Sequence, residues 1–133
     1  MNKNFYNDFY RNTGFKFKLT PEAVAIFLLS HHIRYLFLLR KAQNKPSIFN
    51  RMKLKKYSSK YGLEISPYAK IVNCVYVGIN STVVGGIEIG DDVLIAPNSF
   101  VNFNVPPHSV VVGNPAKIHQ KENATQGYIA FTF

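Results

Sequence analysis

Histidine is the side chain best suited to take a proton from a hydroxyl near neutral pH, and the chain has four: His31, His32, His108 and His119. General-base work requires hydrogen-bond reach from the ring to the acceptor, so each has to be weighed with its surroundings. His31 and His32 lie inside an apolar run and read as packing or interface residues. His119 follows the last turn signal of the chain and reads as exposed. The one cysteine, Cys74, rules out an internal disulfide framework and any zinc site made of paired cysteines. It fits a reducing compartment, and the cytoplasm is the expected location. No metal site is expected. Tyr61, Tyr68 and Tyr76 read as surface or interface aromatics.

The charge is unevenly placed. Residues 1–64 hold 13 Lys or Arg against 3 Asp or Glu, and residues 65–133 hold 3 against 4. Three segments follow: a basic helical N-terminal segment (1–64), a repeat region (65–120) and a C-terminal tail (121–133). Thr20-Pro21-Glu22 has the form of a helix start, with Thr as N-cap and Pro at the first helical position. The helix is expected to run to about Ala42 and to end at Asn44–Pro46. Within its apolar stretch Ala23–Leu39, the polar Ser30, His31, His32 and Arg34 sit where a membrane span would least tolerate them, so a buried or partner-facing helix is expected, without stable membrane insertion. Residues 1–20 lack the apolar core of a secretory leader. A second helical stretch, Ser47–Lys60, carries Arg51, Lys53, Lys55, Lys56 and Lys60. Such a run can meet phosphates or acidic lipid, attract an anionic substrate or simply face water. It contains no nucleic-acid-binding motif, and no nucleic-acid partner is expected.

The elements that must position any site come from a repeat. From Ile65 to Val101 an aliphatic residue falls at every sixth position: Ile65, Ile71, Val77, Val83, Ile89, Ile95 and Val101. Four residues after each comes a mostly small or aliphatic residue, from Ala69 through Ser81 and Ser99 to Val105. Gly78, Gly85, Gly86, Gly90, Asp91, Asp92 and Pro97 interrupt the run as corners would, and a flat strand would tolerate them badly. Three six-residue units make a turn of eighteen, which predicts a triangular solenoid with turns at 65–82, 83–100 and 101 to about 118. Parallel pairing of successive turns gives a prism only about 10 to 15 Å tall. After Pro106-Pro107 a last short strand is expected at Ser109–Val112, then a sharp turn at Gly113-Asn114-Pro115 and a loosely held tail from Lys121.

The segments Tyr76–Ser81, Ile89–Val93, Ile95–Ser99 and, above all, Val105-Pro106-Pro107-His108-Ser109 through Gly113-Asn114-Pro115-Ala116-Lys117-Ile118 resemble the C-terminal coils and closing segment of the hexapeptide-repeat acyltransferases. The nearest branch is that of the serine acetyltransferases and their relatives that acetylate polysaccharide precursors. Upstream, Glu64-Ile65-Ser66-Pro67 is similar to the lead-in of that branch. The resemblance implies a mainly β fold, a short left-handed parallel β-helix of about three triangular coils preceded by an α-helical segment. It also implies a homotrimer, acetyl-CoA as acyl donor in a groove between neighbours, and an acceptor hydroxyl on serine or a sugar.

In the family a histidine takes the proton from the acceptor hydroxyl, a carboxylate orients that histidine, and backbone amides at coil corners hold the thioester oxygen as charge develops. Carried over position by position, Glu64 matches the lead-in carboxylate. Gly78, Pro97 and Asn102 match coil positions lining the CoA groove, and Lys117 matches a basic residue near the CoA phosphates. His108 matches a turn feature of the closing segment. The family's catalytic histidine has no match, because the sequence passes through Ile71–Tyr76 directly from an early coil unit to a late one, and whole middle coils are missing. The alternative reading is therefore a catalytically inactive, shortened β-helix serving as an oligomerisation or binding module.

Overall fold

A computed structural model describes residues 9, 10, 13, 20–72 and 74–128, apart from the His32 side chain; Asn73 and residues 129–133 lie outside the described set. The chain divides into two compact units between Tyr57 and Ser58, whereas the composition break falls after Glu64.

From Thr20 to Tyr61 the described residues form three helices: α1 (Pro21–Leu29), α2 (His31–Asn44) and α3 (Ile48–Tyr61). The single helix expected from Thr20 to about Ala42 is two. Ser30 leaves helical geometry (φ −84°, ψ 114°), closes α1 through its backbone N–H to the Ile26 carbonyl and caps α2 by accepting from the Ile33 N–H. Serine favours such a cap because its hydroxyl satisfies a backbone donor that lacks an intrahelical partner. The predicted start is present: the Thr20 hydroxyl accepts from the Ala23 N–H at 3.3 Å with Pro21 in the first turn. Phe9, Ala23 and Ile33 form a small buried cluster, with Ile26, Phe27 and Phe37 packed against it. The Phe27 and Phe37 rings meet edge to face at 5.4 Å. Among the described residues no single helix is long and apolar enough to cross a membrane; α1 and α2 reach that length only together, across an 88° bend.

The described residues of the repeat region form nine short strands. In chain order they are β1 (Glu64–Ile65), β2 (Lys70–Ile71), β3 (Val75–Val77), β4 (Thr82–Val83), β5 (Glu88–Ile89), β6 (Val93–Ile95), β7 (Phe100–Val101), β8 (Ser109–Gly113) and β9 (Ala116–Gln120). They make three sheets in the orders β1-β4-β7, β2-β5 and β3-β6-β8-β9. The pairs β1–β4, β2–β5, β3–β6 and β4–β7 are all parallel and join residues eighteen apart, such as Glu64 with Thr82 and Val75 with Val93. Three sheets whose strands recur at that offset are the short β-helix that the six-residue spacing predicts.

The ladder fills its interior. Ile65, Val83, Ile89, Ile95 and Val101 are buried, while Ile71 and Val77, on β2 and β3 of the first coil, are half-buried. The small second positions carry Ser81, Ser99 and Ser109, all buried. Their hydroxyls are satisfied at the corners: Ser81 donates to the Ala96 carbonyl at 3.0 Å and Ser109 to the Pro106 carbonyl at 2.8 Å. A buried hydroxyl without such a partner would be costly.

The last turn departs from the arithmetic. β6 pairs with β8 at an offset of sixteen (Val93 with Ser109), and Ile89 bridges Val105, where an eighteen-residue register would put Val105 beside Ile87. The turn is two residues short. Pro107 packs against Gly90, where a Cβ would lie 2.5 Å from the proline nitrogen. The expected turn at Gly113-Asn114-Pro115 is present, but the chain then returns as β9, antiparallel to β8, instead of continuing the third coil to about 118. Nor are residues 121–128 loosely held: Ala124 and Thr125 are buried and hydrogen-bonded to Asp92.

Candidate functional site

The register assigns each residue singled out in the sequence to a corner of the prism. Gly62, Asn80 and Asn98 are eighteen apart and all adopt positive φ (65°, 58° and 61°), marking one edge, which the Asn80 side chain ties along its length by donating to Asn98 Oδ1 at 2.6 Å. Gly78 and Pro97 lie on this edge. Gly78 is buried against the next coil, and a Cβ there would sit 2.5 Å from the Pro97 nitrogen, so glycine is required for the coils to stack. This packing role stands independently of any ligand.

β8 ends beside the same edge, since Ile95 pairs with Val111 one residue before Ala96 and Val112. The hairpin then returns with Gly113 opposite Ala116 and Val112 opposite Lys117, which leaves the Lys117 side chain exposed at the same end of the sheet as Gly78 and Pro97, two strands from β6 and three from β3. Glu64 is exposed at the start of β1, two residues after Gly62, with its N–H donating to the Ser81 carbonyl at 3.1 Å. Four of the five residues therefore share one edge. Asn102 does not: it is exposed past the end of β7, at the next corner of the prism.

The third corner holds a constellation that the sequence spacing did not show. Cys74, Asp92 and His108 all adopt positive φ (51°, 51° and 55°) and mark another edge. The His108 Nδ1 lies 3.1 Å from Asp92 Oδ2 and 3.4 Å from Glu122 Oε2. Asp92 also accepts from the Ala124 N–H at 2.9 Å, the Thr125 N–H at 2.9 Å and the Thr125 hydroxyl at 2.7 Å. Burial alone would raise the Asp92 carboxyl, but the hydrogen bonds from Thr125, His108 and Ala124 outweigh it and hold the group at about 2. The hydrogen bond to Asp92 is the largest cause raising His108; burial opposes it, and the charges of Glu122, Asp92 and Asp91 add to the rise. An eighteen-residue register would set Asp92 beside Val110. The two-residue shortening brings His108 there, and the six-residue ladder carries no sign of it.

This imidazole is oriented by a carboxylate, but it stands a full sheet face away from the Gly78–Pro97 edge. Asp92 to Pro97 spans five residues of extended chain, about 16 Å. Proton abstraction and thioester attack require contact distances, so within one chain these two corners do not form a single reaction centre. Among the described residues no group of His, Cys, Asp and Glu is arranged to hold a metal ion. His31 is exposed on α2, with its Nδ1 2.7 Å from an Arg34 nitrogen; His119 is exposed on β9.

No family model matches the chain. Over 51 residues it is 47% identical to a probable macrolide acetyltransferase of Lysinibacillus sphaericus, a match covering 38% of this chain and 28% of that protein. Over 79 residues it is 35% identical to the serine acetyltransferase of Buchnera aphidicola subsp. Schizaphis graminum, covering 59% of this chain and 30% of that protein. Each match thus spans less than a third of the relative's length. The crystal structure of the Neisseria gonorrhoeae serine acetyltransferase superposes on 90% of this chain and 65% of its own, with a TM-score of 0.50 at 17% identity, a likeness of fold. With its eighteen-residue coils and closing hairpin, the repeat region is similar in sequence to acetyltransferases of the hexapeptide-repeat kind and in fold to a serine acetyltransferase.

Proposed function

We propose that the chain acts in acetyl-CoA-dependent O-acetylation, with the donor lying along the Gly78–Pro97 edge and its phosphates near Lys117. The observation that carries this reading is the register, which gathers Glu64, Gly78, Pro97 and Lys117 on one edge of the prism. Lys117 fits a phosphate partner because it is exposed on a two-stranded hairpin, and such a contact needs only charge and reach. In the reaction the acceptor oxygen loses its proton to a base and attacks the thioester carbonyl. The acetyl group passes to that oxygen, and CoA leaves as a thiol after taking up a proton. The two curated relatives named above differ in acceptor by their names, macrolide and serine, so they support acetyl transfer in common. A serine or sugar hydroxyl is the acceptor class proposed here. Left-handed winding and a cytoplasmic homotrimer complete the proposal.

A second reading, a binding or oligomerisation module without turnover, is favoured by one observation: the His108–Asp92 pair is on a different corner from the proposed donor edge. The experiment that separates the two is release of free CoA thiol from acetyl-CoA by the full chain, with serine and sugar acceptors and detection of the acetylated product. Acceptor-dependent thiol release supports transfer. Its absence, with CoA still bound, supports the module.

A further inference from the structure

α3 carries an exposed face that the acyl-transfer reading does not use. The helix starts at Ser47, whose hydroxyl accepts from the Asn50 N–H at 3.2 Å. Leu54 and Ser58 are buried on one side. At about 100° per residue, Ile48, Phe49 and Met52 fall within one arc roughly opposite them. These three large apolar side chains are 68%, 73% and 62% exposed. One turn further on, the same face continues as Lys55 and Lys56, flanked by Lys53, all exposed. From Ala23 to Leu63 the sequence holds nine Lys or Arg and no Asp or Glu.

We propose that this face of α3 docks on an anionic lipid surface, with Ile48, Phe49 and Met52 entering the headgroup boundary and the surrounding lysines meeting lipid phosphates. The chemistry favours this occupant over two others. A second copy meeting this face through its own α3 would bring the same acid-free basic surface against itself, and like charges would oppose contact. A nucleic acid would satisfy the lysines but has no comparable use for exposed Ile48 and Met52, whereas a membrane interface takes up apolar and cationic groups on one helix face. Surface docking needs no membrane-spanning helix.

The test is co-sedimentation of the full chain with phosphatidylcholine vesicles, with and without about a quarter phosphatidylglycerol. Binding to the anionic vesicles alone, weakened by added salt, is expected. Two sets of substitutions at exposed positions separate the contributions, with circular dichroism confirming that both stay folded: Lys53→Glu with Lys56→Glu, and Phe49→Ser with Met52→Ser. Each set should reduce partitioning at least about tenfold, because each removes one of the two attractions. Equal binding to neutral vesicles, no binding to either, or unchanged partitioning in the Phe49→Ser/Met52→Ser chain would overturn the proposal. So would self-association that competes with the vesicles and is lost in that variant, or duplex DNA that displaces the vesicles while binding that variant unchanged.

Discussion

Gly78 and Asp92 show how much a single position can decide in so short a prism. At Gly78 the next coil's backbone occupies the place of a side chain, so Gly78→Ala should destabilise the fold by about 1–3 kcal/mol in denaturant unfolding; an unchanged midpoint would mean the coils can part at no cost. Asp92 acts through charge. Its carboxyl is held at about 2, below its ordinary 3.8, so its contribution is present above 3.8 and is lost as pH falls toward 2. His108 is shifted upward, so its contribution is present below its ordinary 6.5 and is lost as pH rises through the raised value. The thermal unfolding temperature should therefore be highest between these limits. Asp92→Asn should remove the acid-side decline associated with this group and His108→Ala the alkaline-side one. An identical acid limb in Asp92→Asn would place the acid sensitivity elsewhere.

At the scale of elements, the ladder residues carry the stability of the β-helix. Ile89 is fully buried and sits in the middle turn, so Ile89→Ala should cost about 2–5 kcal/mol, measurable by chemical denaturation, against little effect from a change at exposed Val72. The six-residue spacing made these elements legible in the sequence, because aliphatic side chains that share an interior recur with the coil and the corners select glycine, asparagine and proline. Three things were not legible. The break at Ser30 depends on a local cap competing with helix continuation, and the surrounding apolar run hides it. The sixteen-residue last turn goes with the packing of Pro107 on Gly90, a contact between coils. β9 and the Asp92-bound segment at Ala124 and Thr125 lie beyond the repeat, where no periodicity reports on pairing. The site residues divide the same way. Gly78 and Pro97 fall together because the regular register carries them, while the place of Lys117 and the His108–Asp92 pair emerge only from the irregular last turn and its hairpin.

For the whole molecule, a neutral to slightly acidic β-helix is joined to a strongly basic helical segment, and the two have different chemistry to account for. In the proposed function the β-helix would supply the donor edge, assembled from successive coils and closed by the hairpin that carries Lys117. The helical segment supplies the lipid-facing surface of α3. The claim on which the functional account turns is that acetyl-CoA lies along the Gly78–Pro97 edge, a claim common to the enzyme and module readings. Calorimetric titration of acetyl-CoA into the full chain, run beside Lys117→Ala, tests it most directly. Saturable binding by the parent chain, weakened several-fold by loss of one phosphate-facing charge, is the predicted result. No binding by the parent chain, or equal affinity in Lys117→Ala, would contradict it.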